Sequence, residues 1–146
     1  LIVLLAICFT AAGIGGAVTT PKIATWYAAL TKPSWNPPNW IFGPVWSVLY
    51  VMIAISGWRL WENHHMSGAM AVWWIALSFN FLWSPVFFGM QMPGLALVVI
   101  LILLSLIVTF IALAREKDHV AAWLFVPYAV WVSFATLLNA AIWWLN

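Results

Sequence analysis

Charge is what this chain has least of. Only 5% of its 146 residues are charged, three acids and five bases, where a soluble domain carries about a quarter. So few charges cannot clothe a water-facing surface. With 66% hydrophobic residues and a mean hydropathy of +1.06, the chain reads as an integral membrane protein. A net charge of +2 leaves no basic face for nucleic acid. Cysteine is nearly absent too: Cys8 stands alone, which rules out an intrachain disulfide and a thiolate metal cluster. The apolar runs hold no mid-span Asp, Glu, Lys or Arg of the kind that ion-coupled pumps bury. There is no Gly-rich phosphate loop and no nucleophile set beside a base. The histidines lie in loops or at span ends, and adjacent His64 and His65 point about 100° apart on a helix, a poor metal pair. These absences argue against hydrolytic and metal-centred catalysis.

The few charges punctuate the apolar sequence. A helical span needs about 20 apolar residues. Residues 1–21 carry no charge and predict a first span rather than a signal-peptide core, since no basic segment precedes them. Residues 33–58 hold a second. Residues 63–114 are too long for one helix and contain Gln91-Met92-Pro93-Gly94, a turn signal. Arg115-Glu116-Lys117-Asp118 makes a tight polar loop before a last uncharged run. The runs lack strict alternation, which favours helices over barrel strands. The expectation is an all-α membrane protein, a single bundle of five transmembrane helices at about 1–20, 39–62, 68–90, 94–114 and 120–145, with one long connection at 21–38. Lys22 and Lys32 flank one membrane face and Arg59, Arg115 and Lys117 the other, so a small excess of positive charge places the long connection outside.

What the chain has in excess is tryptophan, 13 residues of it. Interfacial belts account for Trp26, Trp40, Trp58, Trp61, Trp143 and Trp144, all near span ends. They do not account for Trp83 and Trp131, well inside spans, or for Trp46, two turns into the second. Helical spacing of three and four residues aligns Asn39, Gly43, Trp46 and Tyr50; then Asn80, Trp83 and Phe87; then Trp131, Ala135, Leu138, Asn139 and Ile142. At 1.5 Å per residue, Trp46, Trp83 and Asn139 fall at one depth, roughly 6–12 Å below the face that carries the long connection. Asparagine facing lipid is costly, so Asn80 and Asn139 are expected to face inward, as bonds between helices, as pocket walls, or as both. Pro33, Pro37 and Pro38 stiffen the connection above this level, and with Trp35 they suggest a lid.

The same residues carry a resemblance. Trp26-Tyr27-x-x-Leu30-x-Lys32-Pro33-Ser34-Trp35-Asn36-Pro37-Pro38, followed by Gly43-Pro44-Val45-Trp46-x-x-Leu49-Tyr50, closely resembles the translocator protein family, also called the tryptophan-rich sensory protein family. Asn80-x-x-Trp83-x-Pro85-x-Phe87-Phe88-Gly89 and Pro127-Tyr128-x-x-Trp131-x-x-Phe134-Ala135-Thr136-x-Leu138-Asn139 are similar to its third- and fifth-helix motifs. The resemblance covers the chain from Trp26 onward. It implies a five-helix bundle, often a homodimer, whose pocket is closed by the first connection. It also implies a porphyrin or haem ligand rather than a resident cofactor, sterols and synthetic drugs being ligands of some members. By position, Tyr27, Trp46, Asn80, Trp83, Trp131, Ala135, Leu138 and Asn139 fall on family pocket positions, with Phe87 on the same stripe. Trp46 and Trp131 match tryptophans implicated in light-dependent porphyrin breakdown by bacterial members, so a catalytic role attaches to them only if this chain degrades porphyrin. Where animal members carry the tyrosine and arginine of a cholesterol motif, this chain has Ala140 and Trp144. The implied function is a sensor or regulator that binds tetrapyrrole in the membrane. A transporter and a light-dependent enzyme are the alternatives, the transporter disfavoured by the lack of coupling residues and of an inverted repeat. Ala12-x-x-x-Gly16, Gly13-x-x-x-Ala17 and Gly68-Ala69-x-Ala71 are candidate close contacts between helices, within a subunit or between two.

Overall fold

The computed structural model describes residues 1–146. Five helices are long and apolar enough to cross a membrane: α1 (Ile2–Tyr27), α2 (Asn39–His64), α3 (Gly68–Gly89), α4 (Pro93–Ala114) and α5 (His119–Leu145). At 1.5 Å per residue each spans a hydrocarbon core of about 30 Å. Backbone groups in lipid have no water to bond, so helices that satisfy their own amides are the form such runs must take. Around the bundle the order is α1, α2, α5, α4, α3, with α3 and α1 closing the ring.

The helix ends differ from expectation at one place that matters. The first helix does not stop near residue 20. It runs through Pro21 to Lys22 and continues as a π-helical stretch from Ile23 to Tyr27. The long connection is therefore residues 28–38 rather than 21–38. Pro21 lacks an N–H and crowds the carbonyl four residues back, and the wider turn that follows absorbs the misfit. The third helix repeats the device. Pro85 opens a π stretch through Gly89, in which the Met90 amide bonds the Pro85 carbonyl, five residues back, at 2.8 Å. The turn between α3 and α4 is made by Gln91 at φ 55°, while Pro93 and Gly94 already belong to α4.

Prolines and caps shape the opposite membrane face. Asp118 caps α5 by accepting from the amides of Val120 and Ala121 at 2.9 and 3.2 Å. It also receives Arg59 Nε at 2.9 Å and Nη2 at 3.2 Å. The α5 ladder is interrupted at Phe125, whose amide turns to Ala122 O just before Pro127. Ser56 Oγ of α2 then donates to the Ala121 carbonyl at 2.8 Å, a buried contact that pins α2 to α5. The core below the cavity is dense. Trp73, fully buried, lays its indole against Gly57 of α2 and donates Nε1 to Ile53 O at 3.0 Å.

Two of the belt tryptophans also pack against neighbours. Trp26 is half-buried and meets Phe87 and Phe88 edge-on, at ring separations of 5.5 and 6.1 Å. Trp58 is half-buried and donates to Glu62 Oε1 at 3.1 Å. Trp40, Trp61, Trp143 and Trp144 are exposed at span ends, where amphipathic rings belong.

Candidate functional site: an apolar cavity in the membrane

The half of the bundle nearest the 28–38 connection encloses a cavity of about 360 Å³, within the range of small-molecule sites. All three polar–aromatic stripes reach it. Asn39, Gly43, Trp46 and Tyr50 line it from α2, Asn80, Trp83 and Phe87 from α3, and Trp131, Ala135, Leu138, Asn139 and Ile142 from α5. Tyr27, on the π stretch of α1, completes the set of expected wall residues. Trp35, Pro37 and Pro38 lie outside the lining, Trp35 resting edge-on against Phe134 of α5 at 5.7 Å.

Sequence reasoning missed the contribution of α1. Ala11, Ala12, Gly15, Gly16, Thr19, Thr20 and Ile23 all line the cavity. Small residues give no periodic signal and contribute by leaving space. Ile100 and Leu103 of α4 were also not anticipated. Nor was Tyr128, buried beside the cavity, although it stands one helical turn before Trp131 and could have been read as a partner for an inward asparagine.

The polar groups in the walls are mostly tied to one another. Tyr50 Oη donates to Asn80 Oδ1 at 2.8 Å, and Asn80 Nδ2 donates to Tyr128 Oη. This chain joins α2, α3 and α5 beneath the cavity. Trp83 Nε1 donates to Asn139 Oδ1 at 3.0 Å, and Asn139 Nδ2 donates to the Pro93 carbonyl at 2.8 Å, joining α3, α5 and the start of α4. Both asparagines are thus inter-helix bonds and cavity walls at once. Trp131 Nε1 is buried without an acceptor.

The lining holds no charged residue, no histidine and no cysteine; Cys8 is fully buried below it. Its walls are aromatic: Trp83 stacks on Phe87 with centroids 5.0 Å apart and planes 25° apart, and Trp46 lies 5.7 Å from Tyr50. Such a site can hold a flat apolar molecule by face and edge contacts. It offers no side chain that ionises near neutral pH to move a proton, and neither imidazole nor thiol for a metal.

Above the cavity, the connection is fastened at several points. Lys32 Nζ donates to the Tyr27 and Leu30 carbonyls at 2.8 and 3.1 Å and sits 4.8 Å from the centre of the Tyr27 ring. That arrangement satisfies carbonyls left open at the end of α1. Tyr27 Oη donates to Asn36 Oδ1 at 3.1 Å. Asn146 pairs with the Thr31 backbone, accepting from its amide at 3.1 Å and donating to its carbonyl at 2.8 Å.

Comparison with known proteins agrees with the architecture. Residues 3–145 match the family described as TspO/MBR family. The chain is 40% identical to the Tryptophan-rich protein TspO of Chlorobaculum tepidum, over 99% of this chain and 97% of that protein. It is 40% identical to Protein CrtK of Rhodobacter capsulatus, over 92% and 86%. It is 34% identical to the human Translocator protein, over 81% and 73%. The chain belongs to the TspO/MBR family and is a multi-pass membrane protein, with bacterial relatives that fit a bacterial membrane.

Proposed function

We propose that this protein binds a tetrapyrrole, porphyrin or haem, in the intramembrane cavity and acts as a sensor or regulator through occupancy of that site. One observation carries the reading: the uncharged aromatic cavity of about 360 Å³ gathers every polar–aromatic stripe of α2, α3 and α5. Tyr27 supports a route for the signal. Its ring lines the cavity and its hydroxyl holds Asn36 of the connection, so a ligand that shifts Tyr27 also shifts the outer loop. The walls offer no imidazole or thiol, and the hydroxyls of Tyr27 and Tyr50 are bonded to Asn36 and Asn80, so recognition rests on the macrocycle face and metal-free protoporphyrin IX should bind within a few-fold of haem.

The test is a titration of protoporphyrin IX in lipid nanodiscs, followed by tryptophan quenching. Trp46→Phe and Trp131→Phe each keep an aromatic wall and should weaken binding about two- to tenfold, the range of one aromatic contact at 0.5–1.5 kcal/mol. Trp144→Phe, at an exposed span end, should bind as the parent does. Saturable binding that ignores both cavity substitutions removes the site assignment; absence of saturable binding removes the function. The same samples under illumination address a second reading, favoured by the oxidisable indoles of Trp46 and Trp131 in the lining. If the protein degrades porphyrin photochemically, pigment loss per bound porphyrin should fall in those two variants and be absent in the dark.

A further inference from the structure

On one side, the cavity is lined by exposed residues. α1 does not run parallel to α2. Its first half packs on α2, with Leu4 and Cys8 in one core with Tyr50 and Ile53, and the Phe9 and Tyr50 rings 6.4 Å apart. Its second half leans the other way, onto the end of α3. A Cβ at Gly15 would touch Ser84 Oγ at 3.7 Å, Val18 closes on Gly89, and Trp26 and Tyr27 pack on Phe87 and Phe88. α1 and α2 therefore diverge toward the connection. In the space between them, Gly16 and Thr20 of α1 and Gly43 and Ser47 of α2 line the cavity and are exposed on the outside of the bundle. A Cβ at Gly16 or at Gly43 would meet nothing within 4 Å. The axial way is different. Residues 28–38 contribute nothing to the lining. They are held by the Lys32, Tyr27–Asn36, Trp35–Phe134 and Thr31–Asn146 contacts.

We infer that hydrophobic ligands reach and leave the cavity sideways from the bilayer, through a slot between α1 and α2 bounded by Gly16, Thr20, Gly43 and Ser47, while the 28–38 connection stays fastened. The inference rests on the proposed ligand-binding reading of the same cavity. Glycine at both positions leaves this rim without a side chain, in a place where a Cβ would meet nothing within 4 Å. A membrane-dissolved, flat molecule is already at the right depth and needs no passage through water. Thr20 and Ser47 set hydroxyls at the rim, where a ligand carrying polar substituents can pass without losing every hydrogen bond.

A portal controls rates and leaves the equilibrium alone. Stopped-flow quenching by protoporphyrin IX in nanodiscs reads both association and dissociation. In Gly16→Leu/Gly43→Leu, the association and dissociation rate constants should both fall about tenfold or more, the signature of a gated step. Gly16→Leu and Gly43→Leu alone should each slow both directions by less, which keeps the test alive if the double variant does not fold. Gly13→Leu lies on the same helix in open space and outside the lining, and should leave both rates at the parent values. Asn146→Ala, which frees the connection at Thr31, should also leave them unchanged. Unaltered rates in the leucine variants overturn the portal, as does slower association with unaltered or faster dissociation, which means the leucines occupy the ligand's place. Faster exchange in Asn146→Ala overturns it in favour of the axial route. A parent protein without saturable binding sinks the ligand-binding reading and the portal together; saturable binding with unaltered rates sinks only the portal.

Discussion

Replacing Asn80 with leucine isolates what the polar chain under the cavity contributes. Asn80 is 7% exposed and supplies both the acceptor for Tyr50 Oη and the donor to Tyr128 Oη. Leucine is close in size and strands two buried hydroxyls on two different helices. Leaving a buried polar group unpaired costs about 1–3 kcal/mol. Polar contacts between transmembrane helices are worth less, about 0.6 kcal/mol on average and up to about 1.7, since the unfolded chain in the membrane also finds partners. Two lost bonds with incomplete relaxation give an expected cost of about 1–3 kcal/mol for Asn80→Leu. The triple variant Asn80→Leu/Tyr50→Phe/Tyr128→Phe has no stranded hydroxyl and should recover most of that loss, so it should be the more stable of the two. Unfolding in mixed micelles with rising denaturing detergent, followed by tryptophan emission, gives both free energies. A triple variant less stable than Asn80→Leu refutes the reasoning, because it means the tyrosine hydroxyls stabilise the fold by contacts other than Asn80. A cost below about 0.5 kcal/mol for the single variant refutes it as well, since that is under the average for even one such bond.

Three other perturbations test separate parts of the structure. Gly57→Ala should destabilise by about 1–3 kcal/mol through overpacking, because a Cβ there would stand 2.5 Å from Trp73 Cε2, a ring atom of a fully buried side chain; wild-type stability by detergent unfolding would contradict it. Gln91→Gly should be neutral or stabilise by up to about 1 kcal/mol, as φ 55° suits glycine while the more flexible unfolded chain offsets part of the gain; a clear loss by the same measure would contradict it. Partial burial raises the Asp118 carboxyl's pKa, but the hydrogen bonds and charge of Arg59 and the amides of Ala121 and Val120 outweigh it and hold the group below its ordinary value. A depressed native pKa gives stability that is present above the unfolded value, near 3.9, and is lost as pH falls through the native one. Thermal unfolding of the parent should therefore weaken more steeply than that of Asp118→Asn as pH drops below about 4; parallel profiles would count against the pair.

Much of this architecture is legible because charge is so rare. With so few ionisable residues, each one marks a membrane face, and their positions together with the Pro-Gly turn signal at Pro93-Gly94 divide the chain into five spans. The polar and aromatic residues inside spans are equally telling. An asparagine in lipid must find a partner, so Asn80 and Asn139 point to the interior, and three- and four-residue spacing carries Trp46, Tyr50, Trp83 and Trp131 to the same side. That is why the three stripes meet at one cavity, although Phe42 and Ser47 of α2 and Phe81, Ser84 and Phe88 of α3, which also line it, lie outside them. The α1 wall could not be anticipated. Ala12, Gly16 and Thr20 also suit a close helix–helix contact, and pattern alone cannot tell a small residue that permits contact from one that leaves a gap. Trp73 was silent for a related reason: its indole bonds the backbone carbonyl of Ile53 in a hollow left by Gly57, and no side chain announces that arrangement.

The misplaced end of α1 follows from how proline acts in a membrane. In water, Pro21 would be a fair place to stop a helix, since the freed carbonyl can turn to solvent. In lipid an abandoned backbone group costs several kcal/mol, so widening the helix to π geometry is cheaper than breaking it. The chain makes that choice twice, after Pro21 and at Pro85, and the two widened turns pack on each other through Trp26, Tyr27, Phe87 and Phe88. That contact draws the second half of α1 toward α3 and away from α2. The gap lined by Gly16 and Gly43 is what remains. Two prolines that a soluble protein would place at helix ends thus set the tilt of a helix, and the tilt leaves beside the cavity the α1–α2 gap on which the inferred portal rests.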